Sequence, residues 1–303
     1  MSLILRAAAV VLLLAPISFG RDIYVHGFRG DDRNTGHSAQ NVGLTDGPVR
    51  TISRALKLAN SGDRVVVDSE GGPYRESISL VGQSHSGAMG VPFIIEGNGA
   101  VLDGTESLPP GIWKHYRGDV YRFQLTMQPV NMTYFAIFNN GKMLERIAAP
   151  SGVRKLPSLE PNTWCLFDGF IYFRTEGNRS PLLELDYSLS YSARQVGVSL
   201  IQVDNVRIHD LEVRGFQVDG ISAANGARSV ILDNVTCRKN GRSGLTIGRA
   251  STVYAGYGTF AENQTTQVLA LPFSRGKLYD CQVSEDGITR SDDSELLVEV
   301  AEE

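Results

Sequence analysis

Val206-Arg207-Ile208-His209-Asp210-Leu211-Glu212-Val213 reappears 24 residues on as Val230-Ile231-Leu232-Asp233-Asn234-Val235-Thr236-Cys237, with every apolar position matched. At the same offset Gly220-Ile221 falls on Gly244-Leu245. The pattern apolar-x-x-apolar-x-apolar then continues at offsets of 23 through Ala255-x-x-Gly258-x-Phe260 and Leu278-x-x-Cys281-x-Val283. A fixed internal period marks a stacked architecture. Each unit holds two short alternating strands joined by a two-residue corner, then a variable loop, then a third strand that begins with glycine. No unit can bury its inward side chains alone. Piled about 4.8 Å apart, Ile208, Leu232, Ala255 and Leu278 would make one continuous apolar file. The period fits a three-sided coil of parallel strands, and the L-x-x-L-x-L-x-x-N core of a leucine-rich repeat is absent. The fold class that follows is all-β, a parallel β-helix.

Upstream, Ile23-Tyr24-Val25 reads as a strand, followed by a turn-rich loop at Gly30–Gly36. Val49, Ile52, Leu56 and Ala59 lie at helical steps between Pro48 and the stop Asn60-Ser61-Gly62, so a short helix is expected over 48–60. Its apolar face would cover the open first coil, where unpaired strand edges invite aggregation. Strands follow at 63–67, 77–80 and 92–95. Residues 105–195 have another texture, with both tryptophans and alternating strands such as Val120–Phe123 and Phe170–Arg174, and read as a β-rich insertion packed on the coil. The expected organisation is a signal peptide over 1–20, an N-terminal cap and first coils over 21–104, the insertion over 105–195, further coils over 196–290 and an acidic tail over 291–303.

Tyr24-Val25, Gly30-Asp31-x-x-Asn34-x-Gly36, Pro48-x-x-Thr51-Ile52-x-x-Ala55, Gly62-Asp63-x-Val65 and Tyr74-Arg75-Glu76 resemble the opening of secreted right-handed parallel β-helix proteins of the pectate-lyase-like superfamily. The repeats at 203–290 are similar to its coils. The resemblance covers a little over half of the chain after residue 20 and is specific for fold. It implies right-handed coils, with substrate chemistry on the strands beginning at Gly220, Gly244, Val268 and Gly287 and on the loops before them. It does not select one reaction, because the superfamily includes polysaccharide lyases, glycoside hydrolases, epimerases, esterases and members without known activity.

Net charge is −4, from 29 Lys and Arg against 33 Asp and Glu, so no positive field exists to drive phosphate neutralisation and nucleic acid is excluded as a partner. Hydrophobic residues at 42% suffice for a sizeable core, and the 32 glycines and 12 prolines imply many turns. Arg6, the apolar run 7–17 and Ser18-Phe19-Gly20 read as a secretory signal, too short to span a bilayer. The expected location is therefore secreted, periplasmic or cell surface, and the expected state a monomer. Three cysteines cannot form a disulfide scaffold. Cys237 and Cys281 both point inward about 10 Å apart, beyond the 7 Å bridging limit, and should be buried free thiols.

For chemistry, the outward residues Ser222, Thr246, Leu269 and Thr289 offer no acid or base. The aspartate triplet of the superfamily's hydrolases and the acidic calcium cluster of its lyases are both missing. The loops before those strands carry more: Arg214, Asp219, Arg238, Lys239 and Arg242. A lyase needs a base for the proton α to a uronate carboxylate and a cation to hold that carboxylate, so Asp219, Arg238, Lys239 and Arg242 are the catalytic candidates. Asp219 and Asp286 would lie about 14 Å apart, too far for paired glycosidase carboxyls at about 5 Å or 6.5–9.5 Å. Trp113, Trp164 and Tyr172 are candidate sugar-stacking platforms. His209 lacks an assignable partner, and Asp210 and Asn234 read as a polar corner ladder. Four Asn-x-Ser/Thr sequons occur, at Asn131, Asn178, Asn234 and Asn263. No zinc spacing or phosphate loop occurs, and the Gly30–Gly36 loop lacks the glutamate of an EF-hand, so no cofactor is expected and Ca²⁺ has no recognisable site. The expected activity is a lyase or glycoside hydrolase on polysaccharide. The alternatives are a non-catalytic glycan-binding or surface scaffold β-helix, or an enzyme lacking its C-terminal coils.

Overall fold

The structure, a computed structural model, describes residues 20–124, 132–150, 152–183, 185–283 and 285–299. The signal-peptide reading of 1–20 thus lies, except for Gly20, outside the described residues, as does the sequon at Asn131. The protein is a right-handed parallel β-helix with three sides. The first side stacks Asp22–Val25, Arg64–Val67, the start of Phe93–Asp103, the start of Asp204–Arg214, Arg228–Asp233, Thr252–Gly256, Arg275–Tyr279 and Glu295–Glu299. The ends of the two long strands begin the second side, continued by Thr236–Arg238 and Thr259–Ala261. The third side stacks Ile78–Val81, Val196–Ile201, Asp219–Asn225, Ser243–Ile247, Thr266–Ala270 and Ile288–Arg290.

The inward file is longer than the repeat from 203 onward suggests. Ile23, Val65, Ile95, Ile208, Leu232, Ala255, Leu278 and Val298 pair in unbroken register, and all but Val298 are buried. Phe93, Val206, Val230 and Val253 form a second file on the same face. The rungs of Ile95 and Ile208 are direct neighbours although the insertion separates them in sequence. Residues 291–303, expected as an acidic tail, contain a further rung: Leu296 and Val298 alternate inward within Glu295–Glu299, which pairs with Arg275–Tyr279. Glu295 and Glu299 on either side of them face outward with Leu297, and alternation outweighs the charge count.

A helix of seven residues, Ile52–Leu58, forms within the expected 48–60 span and packs Ile52, Ala55 and Leu56 into the coil core. The signature residues around it share one hydrogen-bond network. Asp32 accepts from the amides of Arg50 and Thr51 and from Thr51 Oγ1, Thr51 Oγ1 accepts from Arg54, and Glu76 accepts from the amides of Ile52 and Ser53. These acceptors satisfy donors that a helix start leaves free.

Polar residues pattern the corners. The second residue of the first corner adopts the left-handed conformation at Asp210, Asn234, Tyr257 and Asp280, which explains Asp and Asn there without catalysis. Asn234 Nδ2 donates to Asp210 Oδ1 at 3.0 Å, a single exposed rung of the expected ladder. A buried ladder runs one corner further on. Asn240 Oδ1 accepts from Phe216 N at 3.0 Å, Asn240 Nδ2 donates to Asn263 Oδ1 at 2.9 Å, and Asn263 Nδ2 donates to Cys237 O at 3.1 Å. Glycine at 220 and 244 follows from it, since a Cβ would stand 2.8 Å from the amide nitrogens of Asn240 and Asn263 respectively. Cys165, Cys237 and Cys281 are all free. Cys237 is buried as expected, whereas Cys281 is half-buried because few coils lie beyond it.

The insertion folds as two four-stranded antiparallel sheets. It has its own apolar clusters, one around Trp113, Phe135, Trp164 and Phe173 and another around Leu159, Cys165 and Tyr172. Two of its hairpins turn through residue pairs with positive φ, Asn140-Gly141 and Asp168-Gly169, the conformation that matches strand twist in a two-residue loop.

Asn240→Ala leaves the amide of Phe216 without its acceptor in a dry corner. It should lower stability by about 1–3 kcal/mol in denaturant unfolding; a change below about 0.5 kcal/mol would contradict the ladder's role.

Candidate functional site

The Asn140-Gly141 hairpin, between Ile137–Asn139 and Lys142–Met143, reaches across to the second side of the coil, where Lys239 Nζ donates to Gly141 O at 2.8 Å. Under it lies a cavity of about 250 Å³ lined by Asp103, Thr105, Phe138, Ser190, Arg214 and Lys239, together with the hairpin tip. That is below the roughly 300 Å³ at which drug-sized sites begin, so it suits one sugar-sized group.

Charges beside the cavity alternate. Asp103 accepts from Thr105 N at 2.8 Å and Thr105 Oγ1 at 2.7 Å, and Arg214 Nε stands 3.3 Å from its other oxygen. Arg214 also reaches Glu212 at 3.1 Å, and Glu212 receives Arg238 at 2.9 Å. Register explains the chain, because Arg214 and Arg238 are paired positions on neighbouring rungs and Glu212 alternates outward with Arg214. Lys239 Nζ stands 3.8 Å from the exposed Glu262. Both carboxylates that could attack or protonate a sugar are thus held by arginines, while Arg214 and Lys239 line the space.

The structure groups Arg238 and Lys239 near this cavity and places Asp219 and Arg242 elsewhere, in a pair of their own. Arg242 donates to both oxygens of Asp219, at 2.9 and 2.6 Å, and Ser243 Oγ donates to the same carboxylate at 2.8 Å. Asp219 is 1% exposed. The hydrogen bond from Arg242 to Asp219 holds the guanidinium pKa above its ordinary value, against the opposing effect of burial. Both oxygens of Asp219 are engaged internally, and the pair fixes the start of the third-side strand.

Trp113, Trp164 and Tyr172 do not offer sugar-stacking faces. They are 3%, 0% and 4% exposed, packed in the insertion's cores against Phe123, Phe135 and Tyr116. In a small two-sheet unit the largest rings are needed as core, which overrides their use at a surface.

Two residues extend the reading of His209. Its Nε2 lies 3.6 Å from Glu96 and its Nδ1 3.3 Å from Asp233, on the neighbouring rungs. Glu96 was hidden by the insertion; extending Ile208-His209 back onto Ile95-Glu96 would have found it. The Asn140-Gly141 hairpin was likewise present in the sequence as a turn dipeptide.

Among the described residues, one His and carboxylate group has ligand atoms within 4.8 Å of one another: His26, Asp68 and Glu70. Arg29 already enters it, with Nε 2.6 Å from His26 Nε2 and a guanidinium nitrogen 4.0 and 3.8 Å from Asp68 and Glu70. In the Gly30–Gly36 loop, Asp31 is paired to Arg33 at 2.6 Å and Asp32 serves the helix start. Protein donors therefore occupy the oxygens that the loop could turn toward an ion.

The fold defines a class of architecture, the right-handed parallel β-helix, here carrying an inserted unit. No family model matches the sequence, and no curated protein matches it. Solved structures do resemble it. The complex of XylC with xylose superposes with a TM-score of 0.58 at 12% identity, covering 86% of this chain and 58% of that one. A glycoside hydrolase gives a TM-score of 0.61 at 10% identity, covering 86% and 73%. Pectate lyase Pel9A gives 0.43 at 14% identity, covering 88% and 54%. At these identities the likeness is one of fold, and this chain spans under two thirds of the XylC chain.

Asp219→Ala leaves Arg242 without its partner and should cost roughly 3 kcal/mol or more of unfolding free energy. Arg238→Ala, at a more exposed pair, should cost about 1 kcal/mol or less. Equal effects would contradict this division.

Proposed function

We propose that the protein acts on an acidic polysaccharide, with a uronate residue entering the cavity beneath the Asn140-Gly141 hairpin and undergoing β-elimination. The observation that carries this reading is that Arg214 and Lys239 line a cavity whose lining carboxylate, Asp103, is already paired, with Arg238 linked to Arg214 through Glu212. Elimination needs a cation for the uronate carboxylate, a role suited to Arg214 with Arg238 behind it. It also needs a base near the carbon α to that carboxylate, and Lys239, whose Nζ lies at the edge of the space, is the residue assigned to that role. In that step the C5 proton passes to the base, a C4–C5 double bond forms, the bond from C4 to the glycosidic oxygen breaks and the departing oxygen takes a proton from water.

Hydrolysis is less well supported, because Asp103 and Glu212 are both bound to Arg214 and neither is free to protonate a leaving oxygen. A second reading, glycan binding without catalysis, is favoured by the same pairing and by the hydrogen bond that ties Lys239 to the hairpin. The solved structures of similar fold support a carbohydrate setting: one is a glycoside hydrolase and another holds xylose.

A panel of uronate polymers assayed for the ultraviolet absorbance of an unsaturated product tests the proposal. Lys239→Ala should lower the rate by about 10²-fold or more with an unchanged melting temperature. An undiminished rate would remove Lys239 from the mechanism. Retention of the polymer without product would support binding alone, and reducing ends without absorbance would refute elimination.

A further inference from the structure

On the first side of the coil, facing away from the cavity under the hairpin, the repeat departs from its own pattern. The outward column reads Glu96, His209, Asp233, Gly256, Tyr279 and Glu299 on successive rungs. Gly256 alone in that column lacks a side chain, and packing does not demand it: a Cβ there would meet only Tyr279 O, at 4.0 Å. The result is a notch, one rung deep, between Asp233 and Tyr279.

Tyrosines surround it. Tyr254 projects outward from the same strand, Tyr257 occupies the following corner and Tyr279 closes the far side; they are 49%, 58% and 38% exposed. Tyr257 and Tyr279 meet edge to face with ring centroids 5.7 Å apart. Tyr257 also takes the left-handed conformation, with φ of 54°, at the corner position that Asp210, Asn234 and Asp280 fill in the other coils. Asn and Asp take that conformation more readily than a bulky aromatic, so local backbone preference speaks against Tyr257, as it does against Phe273 with φ of 61°. Strain of this kind persists at ligand clamps, where the side chain has a use.

We infer that this notch is a second carbohydrate subsite, one that takes a neutral sugar. Flat, partly exposed rings suit the apolar C–H face of a pyranose, and Asp233 at the edge can accept from its hydroxyls. The charged groups around the notch are Asp233, Asp280 and the Lys277–Glu299 pair at 2.7 Å. Three carboxylates against one lysine disfavour a uronate, in contrast to the cation-lined cavity on the neighbouring side. The inference does not depend on lyase activity, since the two sites share no residue.

Retention of soluble xylan, glucan and mannan in affinity gels, with polygalacturonate in parallel, tests it. The native protein should be retarded by at least one neutral polymer, and Tyr257→Asn and Tyr279→Ala should each weaken that retardation about tenfold or more. Phe28→Ala, which removes an exposed ring from the first coil, should leave it unaltered. Tyr257→Asn should at the same time raise the melting temperature, because asparagine is at ease in the left-handed region. No retardation by any neutral polymer, unaltered binding in the two tyrosine variants, or stronger retardation by polygalacturonate through those tyrosines would each overturn the inference.

Discussion

A single coil of this protein cannot shield its own inward side chains, and that constraint governs the rest. Ile23, Val65, Ile95, Ile208, Leu232, Ala255 and Leu278 reach burial only because each lies over the next at the strand-pairing distance. Parallel pairing also gives each backbone amide a partner on a neighbouring rung, so apolar burial and hydrogen bonding are satisfied by the same stacking. Polar residues inside the coil are admitted where they do likewise. Asn240 and Asn263 stack in register, and their amides need the bare glycines at 220 and 244 beneath them.

The outside of the coil is freed from core packing by this arrangement and carries the columns of charged and aromatic side chains. Register turns spacing in sequence into adjacency in space: residues 24 apart become neighbours in a column, so alternating charge on the second side and the tyrosine notch on the first are each built from single positions on successive rungs. The insertion adds what a regular coil lacks, a projecting hairpin that roofs a cavity. Its own sheets are held by aromatic clusters separate from the coil core.

What the sequence made legible follows from the same physics. The 23–24 residue period is visible because inward positions must be apolar in every coil, and the free thiol of Cys237 follows from its place in that pattern. The site was less legible. Arg238 and Lys239 stood out as clustered charge, but only coordinates show that Arg238 belongs with Glu212 while Lys239 meets the hairpin. Asp219 read as an acid among cations in sequence, and only coordinates show it engaged by Arg242 and Ser243. Trp113, Trp164 and Tyr172 misled because aromatic composition does not say whether a ring is core or surface. Glu299 and its neighbours concealed a rung because charge count masked the alternation of Leu296 and Val298.

A double-mutant cycle measures the stacking itself. Ile208→Val combined with Leu232→Ala joins adjacent rungs, whereas Ile208→Val combined with Leu278→Ala joins positions three rungs, about 14 Å, apart. The first pair should show a coupling free energy of at least about 0.5 kcal/mol and the second should be additive to within about 0.3–0.5 kcal/mol. Additivity in the first pair together with coupling in the second would contradict the coil.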